Sequence, residues 1–100
     1  MNVYYKNVVS KIDSNGNLRC LCIGGKDSFE ASKIDVIHIA EYYITECGYN
    51  CVLEIEECCP ICSNEGKIWK GRKHNRFLGK WIPCPNCDGK TDWDKWTITI

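Results

Sequence analysis

The chain is 100 residues long, 44% hydrophobic and 26% charged, with 13 Lys and Arg against 13 Asp and Glu. A single small globular domain fits these values, and a low-complexity chain does not. No apolar run approaches the ~20 residues that span a bilayer, and Met1-Asn2-Val3-Tyr4-Tyr5-Lys6 lacks the layout of a signal peptide, so a cytoplasmic location with no membrane partner is expected.

The first element is a strand over residues 3–12, rich in β-branched and aromatic types. Asp13-Ser14-Asn15-Gly16-Asn17 supplies a turn, Leu18 to Ile23 returns, and Gly24-Gly25 ends the hairpin. A helix follows. Asp27 with Glu30 and Ser32 with Asp35 offer capping boxes, and Gly48 offers a stop. Ile34, Ile37, Ala40, Ile44 and Cys47 recur at helical spacing and mark the inward face. Residues 50–56 alternate as a third strand. Residues 67–81 read as two short strands around a basic turn. The tail from Trp93 to Ile100, with Trp96, Ile98 and Ile100 on one face, pairs with strand 50–56. The expected class is α+β. A β-β-α-β part (1–57), an inserted cysteine hairpin (58–90) and a C-terminal strand (91–100) form one domain.

Nine cysteines in a reducing compartment point to metal rather than to disulfides. Cys59-Pro60-Ile61-Cys62 and Cys84-Pro85-Asn86-Cys87 form a C-x2-C-x21-C-x2-C pattern. Two cysteines separated by two residues turn their sulfurs toward one point, and a second such pair completes the four-thiolate shell that zinc prefers. Zinc is therefore the expected cofactor, held by Cys59, Cys62, Cys84 and Cys87. Gly66 and Gly89 follow the two pairs where a tight return is needed. Cys58 competes with Cys59, but only Cys59 has the two-residue spacing to Cys62. A shell of four thiolates leaves no position for water or substrate, so the site is read as structural and the protein as no enzyme. Cys20, Cys22, Cys47, Cys51 and His38 form a candidate second metal set; the plainer reading is small buried side chains.

Cys84-Pro85-Asn86-Cys87-Asp88-Gly89-Lys90 resembles the C-x-x-C-x-G-x-G repeat of the zinc-binding domain of DnaJ-type co-chaperones. Cys59 to Lys67 resembles a degenerate copy. This chain has two copies where that family has four, and Thr91 stands at the final glycine. The resemblance covers about a third of the chain and implies a zinc-knuckle hairpin, at a level that zinc ribbons and rubredoxin-like proteins share. His38-Ile39-Ala40-Glu41 with Pro83-Cys84-Pro85-Asn86-Cys87 is similar to the zinc deaminases, but His38 and Glu41 are one residue too far apart for that motif.

Charge is divided along the chain. Residues 27–57 carry Asp27, Glu30, Asp35, Glu41, Glu46, Glu54, Glu56 and Glu57 against Lys33. Residues 58–90 carry Lys67, Lys70, Arg72, Lys73, Arg76, Lys80 and Lys90 against Glu65 and Asp88. Two functions follow as expectations. In the first, an acidic face of Glu41, Glu46, Glu54 and Glu56 binds a nucleic-acid-handling protein and inhibits or regulates it. The chain is similar in size and charge to small phage anti-CRISPR and antirestriction proteins. In the second, Trp69, Lys70, Arg72, Lys73, Arg76, Phe77, Lys80 and Trp81 contact DNA or RNA directly, cations on phosphates and aromatics on bases. The same residues suit a protein interface, or a hairpin kept soluble by its lysines.

Overall fold

The structure is a computed structural model that describes residues 1–72 and 75–99, with the side chains of 72 and 75–77 outside the description. The class is α+β: one helix and six strands among the described residues. The chain divides into two compact units. One holds Tyr4–Glu57 and Asp94–Ile100; the other holds Met1–Val3 and Cys58–Trp93.

The first unit is a four-stranded sheet in the order β2-β1-β3-β6, with one helix. Strand β1 (Tyr4–Ile12) pairs antiparallel with β2 (Leu18–Lys26), and β3 (Cys51–Cys58) pairs antiparallel with β6 (Lys95–Ile98). Strands β1 and β3 also run oppositely. The Ile12 N–H donates to the Asn50 carbonyl at one end, and Lys6 pairs with Glu56 toward the other. The expected pairing of the tail with the third strand is present, with Leu53 opposite Ile98 and Ile55 opposite Trp96. Glu57 N–H donates to the Asp94 carbonyl, so the chain leaves this unit and returns to it side by side.

The turn at 13–17 is organised by Asp13 more than by its Asn-Gly step. The Asp13 carboxylate accepts from the N–H groups of Asn15 and Asn17, each at 2.9 Å, and Gly16 takes φ +80°. The Asn17 N–H bond is the main reason the Asp13 carboxyl lies below its ordinary pKa. Strand β2 does not stop at Gly24-Gly25. It runs on to Lys26, because these glycines let other groups approach: a Cβ at Gly24 would lie 3.0 Å from Asn7 Oδ1, and one at Gly25 3.0 Å from the Tyr4 ring. A register shift between Val9 and Ser10 skips Leu21. Leu21 and Cys22 consequently both pack on the core while Cys20 is exposed, which separates two members of the candidate second metal set.

Helix α1 (Phe29–Cys47) begins one residue later than the Asp27 capping box implies and four residues earlier than the Ser32 box implies. Ser28 is the N-cap, accepting from the Ala31 N–H, and Gly48 closes the C-terminus at φ +68°. Its inward face is also rotated from the expected one. Ala40 is buried and Ile37 packs on the core, but Ile34 is 70% exposed, and Ile44 and Cys47 are exposed as well. The buried stripe is Ser32, Val36 and Ala40, flanked by Phe29, Ile39 and Tyr43. A buried polar contact sets this rotation. Asn7 on β1 donates through Nδ2 to Ser32 Oγ (2.9 Å) and Asp35 Oδ2 (3.1 Å), and Ser32 Oγ donates to the Tyr5 carbonyl (2.8 Å). Small side chains at 32 and 40 bring helix and sheet close, and Val9, Val36, Leu53 and Ile55 fill the core. A count of large aliphatic residues could not find a face whose anchors are serine and alanine.

Asn7→Ala should leave the Ser32 hydroxyl with one partner fewer and the Asp35 carboxylate unsupported. Unfolding free energy in urea should fall by about 1–3 kcal/mol. An unchanged midpoint would show that this buried network does not hold helix to sheet.

Candidate metal centre and the hairpin it carries

In the second unit the sulfurs of Cys59, Cys62, Cys84 and Cys87 all lie within 4.8 Å of one another, and all four residues are buried. Cys59 Sγ stands 3.6 Å from Cys84 Sγ, and Cys62 Sγ 3.5 Å from Cys87 Sγ. A disulfide requires about 2.05 Å. Four sulfurs at about 2.3 Å from one tetrahedral ion stand about 3.8 Å apart. The spacing is that of a metal site. It is the one cluster of three or more His, Cys, Asp or Glu ligands within reach of a single ion among the described residues.

The two cysteine pairs fold into the same turn, repeated 25 residues apart. Ser63 N–H donates to the Cys59 carbonyl as Asp88 N–H does to Cys84. Glu65 N–H donates to the Cys62 carbonyl as Lys90 N–H does to Cys87. Ser63 and Asp88 both take left-handed backbone, at φ 53° and 52°. The next residue in each turn, Asn64 or Gly89, is left-handed too. Gly89 thus corresponds to Asn64, not to Gly66 as the sequence suggested. The Asn64 side chain closes its own turn, its Oδ1 accepting from Cys59 N–H at 2.7 Å and its Nδ2 reaching Cys58 Sγ at 3.5 Å. Cys58 is therefore a buried neighbour of the site and Cys59 a member of it.

Gly66 joins the two turns. Its N–H points at Cys62 Sγ (3.4 Å), and its carbonyl accepts from Cys84 N–H (3.0 Å). At φ +78°, a Cβ there would stand 3.3 Å from the Gly89 carbonyl oxygen. Asn86 supplies a link the sequence did not disclose. Its Nδ2 donates to Cys59 Sγ (3.1 Å) and to the Asn2 carbonyl (2.6 Å), and its Oδ1 accepts from Asn2 N–H (2.9 Å). No spacing rule marks this contact, because the partners are 84 residues apart.

The thiols differ in basicity. Burial opposes ionisation of Cys59, but hydrogen bonds from Asn86 and from the N–H groups of Cys62 and Ile61 outweigh it and lower the thiol to about 6. Burial, and then hydrogen bonds shared with Cys62, Cys84 and Cys59, push Cys87 up to about 12. A cation bound by all four sulfurs would displace thiol protons.

Strands β4 (Lys67–Arg72) and β5 (Asn75–Pro83) form the expected hairpin beyond the first turn, with Trp69 opposite Trp81 and Gly71 opposite Gly79. The indoles meet edge to face, centroids 5.4 Å apart. Trp69 lies across the glycine pair: a Cβ at Gly79 would stand 2.7 Å from Trp69 Cζ2 and from Gly71 Cα. The tryptophans are 43% and 53% exposed, too open for a core. Ile68 and Trp93 pack against the cysteines instead. Trp93, expected in the last strand, precedes it and belongs to the metal unit.

The structure separates several residues that the sequence grouped together. Strand alternation puts Lys67 on the tryptophan face, its ammonium 4.8 Å from the Trp81 ring centroid, and Lys70 and Lys80 on the other face. Lys73 lies outside the described residues, as do the side chains of Arg72, Arg76 and Phe77. Glu41 and Glu46 are on α1. Glu54 and Glu56 are on the sheet face away from it, where Glu54 pairs with Lys95 (2.9 Å) and Glu56 with Lys6 (3.8 Å). His38 and Glu41 border a shallow apolar dent on α1 with Ile34 and Ile37. No helix among the described residues is long and apolar enough to cross a membrane. Comparison of the chain with protein-family models, curated proteins and solved structures finds no match.

Cys84→Ser should abolish stoichiometric metal binding and unfold the metal unit, read as loss of hairpin amide dispersion in an NMR spectrum. Gly66→Ala should keep all four thiols yet weaken metal retention against a chelator, because the left-handed backbone and the Gly89 carbonyl both resist a Cβ. Retention equal to that of the unaltered chain would remove Gly66 from the site's construction.

Proposed function

We propose that this chain is a non-enzymatic, zinc-stabilised binding protein of the cytoplasm that contacts nucleic acid through its metal unit. Zinc is assigned from the donors, since four buried cysteine sulfurs within 4.8 Å of one another suit a soft or borderline ion and would fill its shell. The paired turns support the likeness to a DnaJ-type zinc-knuckle hairpin. A closed shell leaves the ion a structural role, so function falls to what the metal holds in place.

The observation that carries the reading is the division of charge between the units. The metal unit has seven Lys and Arg against three Asp and Glu, leaving +4; the other has six against ten, leaving −4. A zero net charge therefore conceals a cationic unit that presents two half-exposed tryptophans. Cations that neutralise phosphates beside aromatics that stack on bases are the recurrent means of holding a nucleic acid strand.

The −4 charge of the other unit favours a second reading, in which the chain binds and inhibits a nucleic-acid-handling protein in the manner of anti-CRISPR or antirestriction proteins. Pairing of Glu54 and Glu56 with lysines, on a different layer from Glu41 and Glu46, supports the hairpin over an acidic face.

Binding of labelled DNA and RNA oligonucleotides should be measurable at about 50 mM salt and weaken steeply toward about 200 mM, as counterion release requires. Lys70→Glu and Lys80→Glu should each weaken it. No binding at the lower salt concentration removes this reading and leaves the protein-directed one. Complete chelation should abolish hairpin structure and binding together while the β2-β1-β3-β6 unit keeps its circular dichroism signal.

A further inference from the structure

An open, shallow groove of about 370 Å³ runs beside the first cysteine turn, bordered by Ile61, Cys62, Glu65, Lys67, Trp69 and Trp81. Its walls are unusual for a solvated surface. Ile61 is 56% exposed, and it lies with both half-exposed indoles in one concavity, where a free protein gains nothing by showing apolar surface. The groove adjoins the metal site, because Cys62 both lines it and belongs to the four-sulfur cluster.

We propose that this groove holds one unpaired base of a single-stranded nucleic acid, and that guanine fits it best. This rests on the nucleic-acid reading above and narrows it. Three features of the groove lead to this ligand. The indoles offer π surface, which stacks any base only once that base has left a duplex. Lys67 offers a mobile cation. Its ammonium sits over Trp81 and can move to the phosphate as a base takes its place on the ring. Glu65 supplies the selectivity, being an acidic side chain in a unit of net charge +4. A carboxylate only accepts hydrogen bonds. It repels phosphate, and it meets thymine or uracil across an edge where two carbonyl oxygens flank a single N–H. Guanine presents N1–H and N2–H side by side, a pair of donors that one carboxylate accepts together. An anion among cations that should hold a polyanion is otherwise a defect; facing a donor edge, it selects the base.

The test uses the zinc-loaded 100-residue chain, tryptophan fluorescence and anisotropy of labelled 12-nucleotide strands. A thymine tract with one central guanine should bind several-fold tighter than the plain tract, and at least about tenfold tighter than the same sequence as a duplex, with quenching of the indoles. Trp81→Ala should cost about tenfold or more while zinc content stays stoichiometric. Glu65→Gln should erase the guanine preference while leaving binding of the plain tract unchanged or stronger. Duplex bound as tightly as single strand, or a guanine preference that survives Glu65→Gln, overturns the groove assignment while nucleic-acid binding itself stands. Binding to no oligonucleotide at any salt concentration overturns both. Capture of a protein partner through Ile61 and Trp81 in that case assigns the groove to a protein.

Discussion

The metal unit depends on four sulfurs gathered within 4.8 Å. Around them the unit has little else to hold it: a two-stranded hairpin, with Ile68 and Trp93 packed on the cysteines. A lone hairpin is marginal in water. Bonds to an ion held by these sulfurs would take the place of a hydrophobic core, and the free energy of metal binding would become that of folding. The details of both turns serve this end. The Gly66 N–H and the Asn86 amide point at the sulfurs of Cys62 and Cys59. Each such donor lowers the cost of burying thiolate.

The other unit solves the same problem of small size by ordinary means. Its core is apolar, but a buried Asn7-Ser32-Asp35 network decides which side of the helix meets the sheet. A buried polar group gains only modestly when paired and costs more when left unpaired, so the network excludes rotated packings more than it adds stability. The consequence is an outer helix surface with Ile34, Tyr42 and Ile44 exposed.

A cysteine cluster in place of an apolar core also frees the hairpin's large side chains from packing. Trp69 and Trp81 are needed neither to bury the cysteines nor to fill an interior. They remain half exposed, one braced on a glycine pair and the other capped by Lys67. Segregation of charge then makes this surface cationic while the chain as a whole stays neutral. Both proposed activities use these two consequences of the metal site.

The residues themselves determine the metal donors, the class and most of the strands. A C-x2-C pair constrains its own geometry locally, and period-two alternation is equally local. Both are therefore legible in the order of residues alone. The helix register is not, because Ser32 and Ala40 are buried through a hydrogen bond and a close approach that belong to β1. Nor is the continuation of β2 through Gly24 and Gly25, which reflects the neighbours those glycines admit. The Asn86–Asn2 contact, the equivalence of Asn64 with Gly89 and the meeting of Ile61 and Glu65 with two tryptophans in one groove all join residues distant in sequence or in backbone role. Such contacts follow from which surfaces meet, and only the tertiary structure decides that.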